Sequence, residues 1–444
     1  MKYLAKCERC FTVRLSIQAE YDVCLNIEAK RIPNVRFTAN VESLRKQSSK
    51  REEINMDKLN WAAAKNAAWE AYFAKEKENP VRLEEIEKKE MKYGEVTMRY
   101  GLSVIGEPGE NGYPLYVAMH GGGFGETPDM NNRQWEHMAV YYKDSVKSGV
   151  YVNPRGVRDT WDTHGNPESF PLYDRLIENM ILFYNVDPNK VYFLGFSAGG
   201  DGVYIISPRM ADRMAATHMS AGHHNGTSIM NLHNTPIQLQ VGIHDDAYGR
   251  NKVTVEYQEK LDGLEKQYGG YVHNTFVHLD KGHNFFDNHP TDPQRVLADN
   301  YTWLHTDELS ERVTDTNAIR FLDQFTRNPL PTKIVWDLTN RAPLRTVESF
   351  YWVRANKETT EGLLVIHLDK ENNAVVVEDE STVKKFSILL NDDMLDLDAP
   401  VKIVTKNGEK TVTVERSEDV LNQTTVERGD KNYQFAAVVE VVNE

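Results

Sequence analysis

One stretch constrains this chain more than any other. An apolar run, Val191-Tyr192-Phe193-Leu194, enters Gly195-Phe196-Ser197-Ala198-Gly199-Gly200, and a segment of helical length follows, Gly200 to Met214. A serine on a sharp strand-to-helix turn needs a strained backbone with little room on either side, and glycines two residues before and two after leave that room. The turn would present the hydroxyl at the end of a sheet, and the helix N-terminus favours developing negative charge. Gly-x-Ser-x-Gly alone is also what a Gly-rich turn with a structural serine looks like. The strand before it and the helix after it make Ser197 a candidate nucleophile.

The surroundings fit such a turn. From residue 94, short apolar runs alternate with amphipathic segments. The runs are Glu95–Val104, Tyr113–Met119, Gly149–Val152, Lys190–Leu194, Ala215–Met219, Ile237–Ile243 and Tyr271–Leu279; the helical candidates are Arg133–Lys147, Pro171–Tyr184, Gly200–Met214 and Lys252–Tyr268. Strand, helix, strand over about 200 residues predicts an α/β fold with a mostly parallel central sheet covered on both faces. Asp57–Lys75 reads as a helix, Pro80 interrupts it, and Leu83–Lys92 reads as a second, highly charged one. After His289 the pattern is helix-rich to about Thr326. Asn328, Pro329 and Pro331 then mark a boundary. From Lys333 onward short strands recur between turn residues, Asn407-Gly408 being the plainest hairpin turn, which predicts an all-β, sandwich-like region. The expected organisation is an extension over 1–55, with a hairpin pattern in Phe11–Ala29, a catalytic domain over 56–327 with N-terminal helices, and an accessory β domain over 328–444.

A serine hydroxyl is a weak nucleophile at neutral pH and needs a base and an acid to orient that base. The acid should follow the next-to-last core strand, where Ile237–Gly242 runs into Ile243-His244-Asp245-Asp246. Asp245 sits nearer the strand end; Asp246 is the alternative. The base should follow the last strand, and His283, beside Gly282 in a tight loop, fits. Serine, aspartate, histidine is the chain order this chemistry uses. Acyl transfer also needs donors for the tetrahedral oxyanion. Met119-His120-Gly121-Gly122-Gly123-Phe124 follows a strand directly, and the amides of Gly122, Gly123 and Ala198 are the natural set. As a phosphate loop the glycine run fails, because no Gly-Lys-Ser/Thr follows.

Phe124, Trp161, Phe196 and Tyr248 flank these positions as candidate substrate-binding residues, with Asn284 and Phe285 beside them. Arg155, Asp162 and His164 lie in a loop after a strand; Arg155 serves equally well as an anchor for that loop. Trp336 and Trp352 read as core more readily than as sugar-stacking platforms. Nine of the fourteen histidines lie between His218 and His289, yet none has a zinc-like spacing, so no metal and no cofactor are expected.

Composition narrows the partners. A net charge of −14 gives no electrostatic footprint for nucleic acid or an anionic membrane, and no apolar run reaches the roughly 18 residues of a membrane span. Met1–Phe11 is a poor secretory signal. Cys7, Cys10 and Cys24 are too few for a disulfide framework and read as ordinary thiols, so a cytoplasmic location is expected. A homo-oligomer is left open.

His120-Gly121-Gly122-Gly123, Gly195-Phe196-Ser197-Ala198-Gly199, the Gly242 to Asp245 segment and Gly282-His283 together resemble the α/β-hydrolase superfamily over about residues 94–300. Within it, Asn231 through Thr235-Pro236-Ile237 to Gly242 is similar to prolyl-oligopeptidase-type and polyhydroxybutyrate-depolymerase-like catalytic domains. Asn153-Pro154-Arg155-Gly156 resembles the peptidase side. The β region from 328 is similar to accessory domains behind some secreted esterase-like hydrolases. The resemblance implies an α/β-hydrolase fold with Ser197 as nucleophile, His283 as general base and Asp245 as its orienting acid. Three readings follow: a serine carboxylic-ester hydrolase working through an acyl-enzyme on a small-molecule or oligomeric ester; a serine peptidase on short peptides; and a non-catalytic binding protein. About 93 residues ahead of the sheet are too few for the propeller such peptidases carry, and no acidic pair is arranged to grip a free N-terminus, which favours the ester.

Overall fold

The computed structural model of the protein describes residues 2–7, 11–16, 58–122, 127–285, 287–288, 294–298, 312–314, 316–341, 344 and 348–443. Two compact units divide the chain, Met1–Asn55 and Met56–Glu444. In the first, β1 (Lys2–Cys7) pairs antiparallel with β2 (Phe11–Ser16), so the hairpin starts nearer the N-terminus than the alternation in Phe11–Ala29 suggests. Cys10 and Cys24 lie outside the described residues.

The second unit opens with helices α1 (Lys58–Lys77) and α2 (Pro80–Lys88). Pro80 starts α2 instead of merely breaking α1. Its missing N–H costs nothing at a first turn, and the Asn79 side chain accepts from the Val81 amide at 3.1 Å. Then come β3 (Glu90–Tyr93), β4 (Val96–Ile105), β5 (Tyr113–Met119), α3 (Pro128–Tyr141), β6 (Gly149–Pro154), α4 (Ser169–Tyr184), β7 (Val186–Phe196), α5 (Ala198–Ile206), β8 (Ala216–Ser220), β9 (Ile237–Gly242), α6 (Arg250–Tyr268), β10 (His273–His278), β11 (Gln294–Ala298), β12 (Arg312–Thr314) and α7 (Ala318–Leu322).

Strands β3 to β12 form one sheet in the order β12-β11-β10-β9-β8-β7-β5-β6-β4-β3. The six inner strands from β6 to β10 run parallel, with antiparallel pairs at both edges. Every residue of β6, β8 and β9 is buried, as a sheet covered on both faces requires. The chain leaves β5 for β6 on one side and returns to β7 on the other. This reversal opens a crevice at the carboxyl ends of β5 and β7, where open α/β sheets bind ligands.

Three expectations need correction. The passage after His289 is not helix-rich where it is described: β11 and β12 extend the sheet, and α7 is the one short helix there. The expected charged helix Leu83–Lys92 stops short: Glu90–Tyr93 is a short edge strand against β4, with Met91 buried and Lys92 and Tyr93 exposed. The C-terminal region is also not all-β. Its strands β13 (Lys333–Asp337), β14 (Ser349–Phe350), β15 (Val353–Arg354), β16 (Leu363–Asp369), β17 (Ala374–Val377), β18 (Lys385–Leu390), β19 (Val401–Thr405), β20 (Gly408–Val412) and β21 (Ala437–Val442) build a five-stranded and a four-stranded sheet. Between β20 and β21 stands α8 (Glu418–Arg428), capped by Ser417 and ended by Gly429. Its buried stripe is Leu421, Thr424, Thr425 and Arg428, too polar to show as helical periodicity.

Helix α8 packs on α1, and one hydrophobic core joins Val117, Phe193 and Leu239 of the large sheet to Trp336, Trp352 and Phe386 of the C-terminal strands. Trp336 and Trp352 are therefore core residues, 3% and 0% exposed. Among the described residues no helix is long and apolar enough to cross a membrane.

Candidate active site

Ser197 stands between β7 and α5 with φ 58° and ψ −121°, a conformation that side chains adopt reluctantly, at about 1–3 kcal/mol. Two backbone hydrogen bonds hold it there: the Ser197 amide donates to Ser220 O, and the Asp201 amide to Ser197 O, each at 2.9 Å. The flanking glycines are fixed by close approach. A Cβ on Gly195 would lie 2.3 Å from Gly199 O, and one on Gly199 only 2.1 Å from Met119 O. The turn closes because neither has one.

Ser197 Oγ lies 2.9 Å from His283 Nε2, and His283 Nδ1 lies 2.8 Å from Asp245 Oδ2. Asp245 is 2% exposed, with Arg250 Nη1 3.6 Å from its other oxygen. Asp246 turns to solvent and accepts from the Asn251 side chain instead. The loops carrying Asp245 and His283 are zipped together: Ile243 and His244 donate backbone N–H groups to His278 O and Lys281 O, and a Cβ on Gly242 would lie 2.0 Å from Gly282 O.

After β5 the chain passes within contact of Ser197. A Cβ on Gly121 would be 3.3 Å from Ser197 Cβ, and Gly122, at φ 107°, lies so close to Asn131 that a Cβ would sit 2.1 Å from its Oδ1. Ala198 is buried in the first turn of α5, where backbone N–H groups have no intrahelical acceptor. Gly123 and Phe124 lie outside the described residues. His120 braces this loop from behind. Its Nε2 accepts from the Gly156 amide at 3.0 Å, its Nδ1 donates to Gly121 O at 2.5 Å, and His164 Nε2 donates to the His120 carbonyl at 2.9 Å. Burial pulls the His120 pKa down to about 4 and that of His164 well below the ordinary range, so both rings are neutral at physiological pH.

Among the described candidate substrate-binding residues, Phe196 stands against His283, ring centroids 5.6 Å apart, with Phe285 and Tyr141 behind it. Trp161 is 46% exposed on the loop after β6. Tyr248 is 73% exposed, in a left-handed conformation, with the Arg250 guanidinium over its ring. Arg155 is an anchor: it pairs with Asp159 and bonds Asn132 and Gly156 O within its own neighbourhood. His164 is a buried brace.

Sequence reasoning missed Asp287. Fully buried four residues past His283, it accepts from Tyr141 at 2.8 Å, Tyr142 at 2.7 Å, His218 at 2.8 Å and the Ser220 hydroxyl. It ties the histidine loop to β8 and α3. Burial pushes its pKa up, but hydrogen bonds and the nearby His218 outweigh that and hold the carboxyl below its ordinary range. An aspartate in a polar stretch carries no local sign of such a role. Among the described residues, one trio of metal-ligating type, Asp262, Glu265 and His273, has donor atoms within 4.8 Å of one another. His273 begins β10, at the opposite end of the sheet from Ser197.

No protein-family profile matches the chain. Over 162 residues it is 29% identical to the bifunctional acetylxylan esterase/xylanase XynS20E of Neocallimastix patriciarum, a match covering 36% of this chain and 22% of that protein. The chain thus spans about a fifth of that relative's length. Among solved structures, a thermostable esterase is 21% identical, covering 54% of this chain and 62% of its own, with a TM-score of 0.36. Est1E from Butyrivibrio proteoclasticus is 12% identical, covering 44% and 89%, with a TM-score of 0.30.

Proposed function

We propose that the chain is a serine carboxylic-ester hydrolase on an α/β-hydrolase fold, with residues from 328 onward as an accessory β region. The observation that carries this is the hydrogen-bonded chain from Ser197 Oγ through the His283 ring to buried Asp245, set on a backbone that only a specialised turn adopts. The relative named for acetylxylan esterase activity supports the ester class.

In this reading Asp245 holds the proton of His283 on Nδ1, leaving Nε2 as the base. Ser197 Oγ attacks the ester carbonyl carbon as its proton passes to Nε2. The amides of Gly122, Gly123 and Ala198 stabilise the resulting oxyanion, each such donor typically supplying a factor of about 10²–10³. The intermediate collapses, the alkoxide departs with the proton from His283, and water, deprotonated by the same ring, hydrolyses the acyl-enzyme. Because His120 and His164 are neutral, the loop would offer amide dipoles with no titrating charge beside them. Phe196, Phe285 and Tyr141 give the acyl or alcohol group an aromatic wall.

The test is hydrolysis of p-nitrophenyl acetate, butyrate and octanoate against a dipeptide p-nitroanilide, by wild type and Ser197→Ala. Ester turnover that falls about 10⁴–10⁶-fold in the mutant is the expected outcome. Comparable amide turnover would favour the peptidase, and turnover independent of Ser197 would overturn the mechanism.

A further inference from the structure

Buried arginines in this protein find carboxylates. Arg428 pairs with Asp212, Arg327 with Asp430 at 2.6 Å, Arg82 with Glu178 at 2.6 Å and Arg416 with Asp392 at 2.6 Å. Arg209 and Arg341 depart from this rule among the described residues, and both line the same place. A small crevice of about 10 Å³ opens between the turn that follows α5 and the turn that follows β13, lined by Arg209, Asn231, Trp336, Asn340, Arg341, Ser349 and Phe350.

Arg341 is 5% exposed. Its Nη1 donates to the carbonyls of Asn356 at 2.8 Å and Thr359 at 2.6 Å, and its guanidinium lies 5.6 Å from the Trp336 ring centroid. Its Nε is buried without an acceptor among the described residues. Arg209 is half-buried; Nε donates to Asn340 O and Nη1 to Ile205 O, each at 2.6 Å. Among the described residues no carboxylate lies within 4.0 Å of either guanidinium. The acid that bears on Arg341 is Glu348, whose own contact is Lys357 at 3.9 Å, at an exposed position. Burial pulls the Arg209 pKa down to about 10 and lowers that of Arg341.

The other polar groups of the lining are already used. Asn231 is spent on the backbone of Asp337, Asn340 on that of Ser228, and the Ser349 hydroxyl on Glu427. The crevice therefore has two desolvated cations, one buried unsatisfied donor and an aromatic wall of Trp336 stacked on Phe350. Carbonyl dipoles satisfy hydrogen bonds but do not neutralise a charge, and an uncompensated buried charge is expensive. The crevice as a whole has room for about one water-sized particle.

We propose that this crevice binds one small inorganic anion of halide size, held between Arg209 and Arg341. Arg209 stands three residues past the helix that begins at Ser197, and Arg341 closes the turn after β13. The anion would clamp the C-terminal strands to the far end of the nucleophile's helix, and the site is independent of the ester-hydrolase reading.

The full chain, exchanged into sodium gluconate, would be titrated with sodium chloride and sodium bromide at constant ionic strength while its melting temperature is followed. A saturable rise of about 2–4 °C is expected, with one bromide anomalous peak in the crevice of crystals grown from bromide. Arg341→Met and Arg209→Met, each checked for folding by circular dichroism, should lose the halide dependence. Equal melting in gluconate and halide, or a rise undiminished in a folded variant, would overturn the proposal. A rise given by phosphate but not by halide would overturn the assigned size. If both variants fail to fold, the bromide peak in wild-type crystals decides, and its absence overturns the site.

Discussion

The turn around Ser197 and the seam under the C-terminal strands are held by opposite means. At the turn, backbones touch. Gly195, Gly199 and Gly242 bring carbonyls to where side chains would stand, and the reactive groups are placed by geometry that tolerates no added atom. At the seam, long side chains cross. Arg428 reaches Asp212 and Ser349 O, Arg213 reaches Arg428 O, and Arg327 reaches Asp430 and Asp212 O. The first kind of contact fails when something is added, the second when something is removed.

Three changes would break or sharpen that contrast. Gly199→Ala is expected to have the largest effect. Its Cβ would collide with the Met119 carbonyl, a backbone atom that cannot swing aside, so folded yield or melting temperature should collapse together with activity. If Gly199→Ala folded with an unchanged melting temperature, the account of the turn would be wrong. Arg428→Met should follow, at about 3–5 kcal/mol in urea unfolding, because it strands the Asp212 carboxylate. Pairing it with Asp212→Leu should recover much of that loss, whereas no second substitution should rescue the glycine.

Asp287→Asn should be the smallest. The wild-type carboxyl has a folded pKa below its unfolded value, so its contribution is present above about pH 4 and fades as pH falls through the folded pKa. Wild type should therefore lose stability below pH 4 more steeply than Asp287→Asn. At neutral pH the variant should be less stable by about 1–3 kcal/mol, and slower as the His283 loop loosens. Parallel acid limbs would contradict this assignment.

The same contrast decides what could be read in advance. Ser197, Asp245 and His283 were legible because each sits in a local pattern, a strand end with glycine beside it, and the order of strands brings the patterns together. The strands from Val96 to His278 were legible from apolar runs. Asp287 was not, since its partners come from α3 and β8, and a lone aspartate shows no periodicity. Nor was α8, whose buried face is half threonine, or the pairing of Arg428 with Asp212, 216 residues away. Strands β11 and β12 lie in a stretch whose composition suits helix as well, and only a sheet edge to pair with decides the matter. The turn at Asn407-Gly408 was nearly placed: Thr405 pairs with Gly408, so Lys406 and Asn407 form the loop.

The φ of 58° at Ser197 has a consequence for how such a chain changes over time. Glycine would rest in that conformation more easily than serine does, and glycine would also abolish the hydroxyl. Stability and turnover therefore point in opposite directions at one codon. A lineage with no use for the hydroxyl would be drawn downhill to glycine, while one that uses it must keep returning to the harder residue.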